Sequence, residues 1–246
     1  MTAVTSFRAN FIVRNISVIL ESVAGAASLA LVFRLGGGVS GWSVYDWLFL
    51  VGLAALARAL WDTFFIGTIF LPQLVRAGEL DTFLIRPVSP LVLVLMREVD
   101  PDTWGEICTS TVLLVVAGVG SGMPFHVWTI PYALVAISGG VAVYAGLHLL
   151  VNSTAFAVTD SSPFSSILWR LDDFTRLPMS FFPKWGLVGF STVVPLAFVN
   201  YYPTLILLGR NAPWYAWLTP LVGVLTFAVA VLAWRVGVRR YVGTGS

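Results

Sequence analysis

Long apolar runs separated by short polar segments make up most of the chain. The first extends from about residue 15 to 33 and is interrupted only by Glu21. The second covers roughly residues 45–71 and carries Arg58 and Asp62 inside it. Further runs lie at about residues 103–120 and 129–158, a fifth starts near Trp185, and a sixth spans about 214–236. A helix that crosses a bilayer needs roughly 20 mostly apolar residues, and these runs match that length. The pattern predicts an all-α polytopic membrane protein with six transmembrane helices. Two polar segments interrupt it, at residues 72–102 and 160–184. Within the first, residues 91–96 are apolar but too few to cross, so they are expected to form a short amphipathic helix at the interface. The second mixes Arg170, Asp172, Asp173 and Arg176 around Trp169 and Phe174. It is expected on the cytoplasmic side, along the inner interface, against a partner, or as a solvated loop.

Composition supports a membrane solvent. The chain is 58% hydrophobic and 11% charged, against about 25% charged residues in soluble domains. Its 246 residues are therefore read as a single transmembrane domain, residues 1–246. A net charge of +2, with no basic run, gives no footing for nucleic acid. Cys108 is the single cysteine, which excludes an internal disulfide. His126 and His148 lie far apart in sequence and predict no metal site. The first run is too long for a signal peptide and is expected to be retained.

The basic residues set the orientation. Arg8 and Arg14 precede the first run; Arg76, Arg86 and Arg97 follow the second; Arg170, Arg176 and Lys184 follow the fourth; Arg235, Arg239 and Arg240 end the chain. Only Arg34 and Arg210 fall on the other side, and Arg58 lies within a run. Cytoplasmic loops carry the excess of Lys and Arg, so both termini are expected in the cytoplasm. Trp42, Trp47, Trp128, Trp214 and Trp217 then mark the outer interface, and Trp104, Trp169, Trp185 and Trp234 the inner one.

Residues 76–87, RAGELDTFLIRP, join the second and third runs on the cytoplasmic side. Leu80, Phe83 and Leu84 share a helical face, since residues three and four apart align. Gly78 suits a helix end, and Pro87 disfavours helix at Arg86. The stretch reads as a short amphipathic helix suited to docking, with a plain topology signal as the alternative. Its pattern R-x-G-x-L-D-x-x-L-x-R-P resembles the small six-span permeases of type-2 ATP-binding-cassette exporters. The stretch VPLAFVNYYPTLILLGR at 194–210, the end VRRYVGTGS at 238–246 and GWS at 41–43 are similar to the same branch.

The resemblance implies a permease subunit of an ATP-driven exporter in a bacterial-type cell membrane, among membrane lipids. It implies a coupling segment of Arg76, Gly78, Glu79, Leu80, Asp81, Phe83, Leu84, Arg86 and Pro87 that meets cytoplasmic ATPase subunits. A second permease, identical or a related sibling, completes the pathway. ATP and Mg are then bound by the partner ATPase. No cofactor is expected in this chain, since Lys184 is its only lysine and no phosphate-binding P-loop surrounds it. The resemblance also implies that the fifth run is broken into re-entrant outer half-helices around Pro195, Asn200, Tyr201, Tyr202 and Pro203, shaping an outer gate or exit. From the residues alone, Pro195 requires a kink or break, and an ordinary kink with an aromatic outer loop is the alternative.

Glu21, Arg58 and Asp62 are expected to form one intramembrane ionic group. A charge at a helix centre costs about 2.5–3.5 kcal/mol on insertion, so pairing is favoured. Two roles are open: neutralisation that fixes packing, or attraction of an anionic substrate by Arg58. His148 is expected to be packed or hydrogen-bonded rather than part of a proton relay. Gly139 and Gly140 are expected to allow close helix packing. An integral-membrane enzyme acting on lipid or peptide, or a channel or scaffold subunit, are the alternatives. No nucleophile–base pair, carboxylate dyad or metal set emerges to support the enzyme, which leaves a non-catalytic transport subunit ahead.

Overall fold

The computed structural model describes residues 41–98, 103–158 and 161–241, together with eight scattered positions between 16 and 31. Glu21 and most of the expected first span lie outside the described residues. Among the described residues the chain is helical and contains no strand.

Helix α1, Val44–Phe65, starts at a reciprocal cap. The Asp46 amide donates to the Ser43 hydroxyl at 3.1 Å, and the Ser43 amide donates to the Asp46 carboxylate at 2.7 Å. This satisfies two of the amides that a helix start leaves without partners. A 3-10 stretch, Ile66–Phe70, and α2, Leu71–Arg76, extend it to 33 residues. Two short helices follow, α3 at Leu80–Leu84 and α4 at Pro90–Leu95. The 3-10 stretch has a packing reason: a Cβ on Gly67 would fall inside contact distance of the Val94 carbonyl oxygen and 2.9 Å from that of Leu95. The end of α4 therefore lies directly on this part of the long helix.

Helix α5, Trp104–Gly120, has 17 residues and packs along α1. Helix α6, Thr129–Asn152, pairs with α10, Thr219–Arg240. Their backbones nearly touch, since a Cβ on Gly223 would meet the Gly139 backbone, and one on Gly146 would meet Phe227 N at 2.8 Å. Small residues at the contact are what such an approach requires. The continuous helices Val44–Arg76, Thr129–Phe156 and Trp214–Arg240 are each long and apolar enough to cross a membrane. They correspond to the second, fourth and sixth expected runs.

The segment after α6 differs from expectation. Residues 160–184 read as a cytoplasmic loop, but α7, Ser162–Asp173, and the 3-10 turns Phe174–Arg176 and Met179–Phe181 run the length of the bundle. Near its start, the Ser165 hydroxyl donates to Asn152 Oδ1 at 3.1 Å, at the C-terminal end of α6. Asp172 then pairs with Arg58, midway along α1. Finally the Trp47 indole N–H donates to the Arg176 carbonyl at 2.6 Å, at the N-terminal end of α1. The segment is thus antiparallel to α1, and Arg176 lies at the Trp47 end, opposite Arg76. Four charges made it read as a loop; α1 and α6 provide partners that a hydropathy pattern does not reveal.

The fifth apolar run is broken, as the proline at 195 requires. Helix α8, Lys184–Thr192, meets the segment Leu196–Leu207, which contains α9, Tyr201–Leu207, at a bend of 83°. Both arms belong to one end of the bundle. Phe181, just before α8, has its ring 6.3 Å from Trp47, and Arg210, just after α9, pairs with Asp46. Between them the bend reaches inward, where Leu196 and Val199 join Ala57, Trp61, Val143 and Tyr144 in one buried cluster. The run begins and ends at the same end of the bundle, as a pair of helices joined at a sharp bend.

Candidate functional site

Three groups of predicted residues can be located. In the first, Arg58 Nε donates to Asp62 Oδ2 at 2.9 Å across one turn of α1, and Arg58 Nη1 donates to Asp172 Oδ2. The Tyr144 hydroxyl donates to Asp172 Oδ1 at 2.5 Å, tying in α6. The guanidinium lies over the Trp169 ring at 4.2 Å and over Trp61 at 5.3 Å. Delocalised, weakly hydrated charge favours this stacking, which keeps the cation stable away from water. Asp172, Tyr144, Trp61 and Trp169 were not read from the sequence as partners of Arg58. The signal available was the pair of aspartates at 172 and 173, whose distance of more than 100 positions from Arg58 hides the contact. His148 stacks on Trp61 with ring centroids 4.0 Å apart, the packed arrangement expected for it.

The second group surrounds α3. Gly78, at φ +69°, takes the left-handed conformation that ends α2 and folds the chain back on it. Leu80 is fully buried, in a cluster with Leu71, Leu74, Val94, Leu149 and Trp234, and Phe83 packs on the same cluster. This changes the expected docking face. Two of its three apolar residues point into the chain's own core, because the reversal at Gly78 lays the first turn of α3 on α2. The outward apolar residues are Leu84, Ile85 and Val88, with Ile85 86% exposed. Arg86 and Pro87 are exposed beside them, and Asp81 is half-buried. Arg97 pairs with Glu79 at 3.4 Å, bridging α4 to the start of α3. Arg76 lines a cavity between α2, α6 and α7.

The third group is the bent pair, α8 and the segment that holds α9. Pro195 sits at the bend and is buried, as are Tyr202 and Pro203. Asn200 is fully buried, and its amide donates to the Leu50 carbonyl at 3.3 Å and the Thr175 carbonyl at 2.5 Å. One side chain thereby joins the bend to α1 and to the end of the α7 segment. The Tyr202 hydroxyl shares a 2.7 Å hydrogen bond with Ser191, holding the two arms together, and Tyr201 stacks on Trp42 at 6.1 Å. Tyr201, Tyr202, Leu205, Asn211 and Tyr215 help line an open cavity of about 400 Å3 at this end. Among the described residues no group of three or more His, Cys, Asp and Glu is placed to hold a metal ion.

The described residues thus form an all-helical bundle with three continuous helices long and apolar enough to cross a membrane, a sharply bent pair, and a short anchored helix between its first two long helices. The family model described as ABC-2 family transporter protein matches residues 19–245. The chain belongs to the ABC-2 transporter family. As a member it is an integral membrane protein, the permease component of an ABC transporter, which works with an ATP-binding subunit. No curated protein and no solved structure gives a match to this permease.

Proposed function

We propose that this permease forms half of an export pathway, paired with a second permease and driven by cytoplasmic ATPase subunits docked around α3. The carrying observation is the contrast between Leu80, fully buried, and Ile85, 86% exposed, within one short segment. The buried residue ties α3 to α2, α6 and α10, and the exposed one offers apolar surface to a partner. A push on Ile85 is thereby delivered to three long helices. ATP and Mg belong to that partner.

The basic residues support a cytoplasmic position for this end. Arg76, Arg86, Arg97, Arg235, Arg239 and Arg240 cluster there, against Arg176, Lys184 and Arg210 at the Trp47 end. The excess keeps its sign after α7 is reassigned. Residues 162–181 then supply the fifth crossing: about 20 residues at 1.5 Å each give about 30 Å, the thickness of the hydrocarbon core. With the expected first span this makes six crossings and cytoplasmic termini. One face of α7 carries Ser166, Arg170 and Asp173, all exposed to solvent in the single chain. Ionic residues at membrane depth face protein or a water-filled cavity, which supports a second permease, identical or related, with the path between them. On this reading Asn200, Tyr201, Tyr202 and the flanking prolines shape the outer exit, and the complex sits in a bacterial-type cell membrane.

Copurification tests the docking. Ile85→Asp in an otherwise intact permease is expected to insert and fold while losing the ATPase subunit and transport-coupled ATP turnover. Wild-type association and turnover in that variant would remove the basis for the proposal.

A further inference from the structure

The facing ends of α2, α6 and α7 enclose a cavity of about 230 Å3, with polar walls that include His148, Asn152, Ser161 and Ser165. His148 and Ser161 are each 1% exposed. Neither the two imidazole nitrogens of His148 nor the Ser161 hydroxyl has a hydrogen-bond partner within the described chain. Buried polar atoms left in this state are costly, so groups on the wall of a polar cavity call for an occupant. Arg76 and Ser162 also line the cavity, and each is already engaged in an interaction of its own.

The unmet hydrogen bonds indicate the chemistry of that occupant. No carboxylate is among the described lining residues. A buried imidazolium without a counter-charge is costly, so the neutral ring of His148 is the form to be satisfied. It carries one N–H and one bare nitrogen, and therefore needs both an acceptor and a donor. The Ser161 hydroxyl needs the same two. The Asn152 amide is already oriented: its oxygen accepts from Ser165 at 3.1 Å, and its nitrogen donates to the His148 carbonyl at 2.8 Å. An oxyanion only accepts and an ammonium only donates, so either would leave half of the pattern unmet. A hydroxyl does both. Ile69, Pro72 and Trp169 give the same enclosure an apolar side, which suits the C–H face of a compact polyol. Separate waters meet the pattern too, but each is ordered at its own entropic cost, whereas hydroxyls on one carbon frame are ordered together. The volume lies below the roughly 300 Å3 at which sites for drug-sized ligands begin, so it fits a headgroup better than a larger molecule.

We propose that this cavity binds an uncharged group with two or more hydroxyls, of glycerol or single-sugar size, carried on a lipid or free. Its recognition rests on His148 and Ser161 and is independent of the docking at α3 and of the direction of transport. Bound there, the group bridges the C-terminal end of α6 and the start of α7. It also lies against α2, which leads through Gly78 into α3.

The test uses the full chain in a polyoxyethylene detergent, which carries no cluster of hydroxyls. The probes are 1-monooctanoylglycerol, glycerol, methyl octanoate and inorganic sulfate. Trp169 lines the cavity, so tryptophan fluorescence reads occupancy, and most of the response is expected to be lost in Trp169→Phe. Saturable binding of monooctanoylglycerol is expected, with none of methyl octanoate, which has the same acyl chain without the hydroxyls. His148→Phe keeps a ring to stack on Trp61 and removes both nitrogens. It is expected to weaken binding about tenfold, the scale of one or two hydrogen bonds. Ser161→Ala, which adds no volume, is expected to weaken it as well. Ser180→Ala, exposed at the Trp47 end of the bundle, is expected to bind as wild type. Each variant is compared at matched gel-filtration elution. Displacement by glycerol assigns the site to a free polyol, and its failure to displace assigns a lipid headgroup. Displacement by sulfate would make the site an anion site and overturn the proposal. A response unchanged in Trp169→Phe, no saturable response to either polyol, or unchanged binding in both His148→Phe and Ser161→Ala also overturns it, leaving a cavity that holds water only.

Discussion

Arg58 and Asp172 stand 114 positions apart in sequence and form an ion pair between α1 and α7. The same guanidinium also holds Asp62, so one cation neutralises two carboxylates whose side chains are 15–16% exposed. Arg58→Ala is therefore expected to cost more stability than Asp172→Asn, which leaves the Arg58–Asp62 pair in place. Breaking a buried pair from one side costs about 3–5 kcal/mol, and the partial exposure here places the loss at or below the low end of that range. Unfolding midpoints in detergent check this. The double variant Arg58→Ala with Asp172→Ala is expected to lose less than the sum of the single alanine variants; strict additivity would mean the two do not interact.

Gly67 gives a steric prediction. Its missing Cβ leaves room for the Val94 and Leu95 carbonyls, which are backbone atoms and cannot rotate away. Gly67→Ala is expected to displace α4 and lower the unfolding midpoint, by about 1–3 kcal/mol as for other overpacked sites. Gly189→Ala is the matched control, since nothing lies within 4 Å of its added methyl. It is expected to be neutral or slightly stabilising, because alanine favours helix. Equal melting of the two variants would contradict the close packing of α4.

Part of this architecture could be read directly from the sequence. The runs containing α1, α6 and α10 are uniformly apolar, so length and hydropathy find them, and Pro195 fixes the break in the fifth run. The direction of α7 could not be read that way. Arg170, Asp172, Asp173 and Arg176 resemble a solvated loop until Arg58, Trp47 and Asn200 are brought to them by the fold. The face that α3 turns to solvent is hidden from the sequence for a related reason. Helical spacing groups Leu80 with Phe83 and Leu84, but it does not say which way Gly78 turns the group. The buried ionic group was half legible: Arg58 and Asp62 share a turn of helix, whereas Asp172 and Tyr144 arrive from other segments, and Glu21 is outside the described residues.

The opposite fates of Leu80 and Ile85 yield a paired prediction. Leu80→Ala removes a fully buried side chain from a cluster shared with Trp234 and Leu149. The expected cost is about 2–5 kcal/mol, the range for buried leucine truncations. Ile85→Ala removes an 86% exposed side chain and is expected to change stability by less than about 0.5 kcal/mol. If the proposed docking holds, its effect is expected in ATPase association. Thermal unfolding of the isolated permease, set beside copurification, separates the anchoring role of Leu80 from the docking role proposed for Ile85.

Asn200 makes the bend between α8 and α9 depend on one amide. Its two hydrogen bonds reach the Leu50 and Thr175 carbonyls from a fully buried position. Asn200→Leu leaves both carbonyls without that donor, at about 1–3 kcal/mol for each group stranded. Asn200→Asp is expected to be at least as harmful, because a carboxylate accepts hydrogen bonds and would face two carbonyl oxygens. Proteolysis near Arg210 should increase in both variants, since the arms of the pair are held at their bend by this residue. Unchanged protection in both would show that the Tyr202–Ser191 bond and the surrounding aromatic packing suffice.

The reassignment of residues 160–184 has a direct topological test. If α7 and the turns after it cross the membrane, Ser180 emerges on the same side as Asn211 and opposite Ser89. All three positions are exposed, so a cysteine at each is open to a thiol reagent. The native Cys108 is also exposed and must first be replaced by serine. In intact cells a membrane-impermeant maleimide is expected to label Ser180→Cys and Asn211→Cys, while Ser89→Cys is labelled only after lysis. A loop on the Arg76 side would instead make Ser180→Cys behave like Ser89→Cys. That outcome would conflict with the Trp47–Arg176 hydrogen bond, which ties the end of the α7 segment to the first turn of α1. It would also restore Arg176 and Lys184 to the cytoplasmic count. The labelling of Asn211→Cys carries a further check, because Arg210 beside it pairs with Asp46 at the same end. Labels on Ser180→Cys and Asn211→Cys from one side, with α8 and α9 between them, would establish that the bent pair re-enters without crossing.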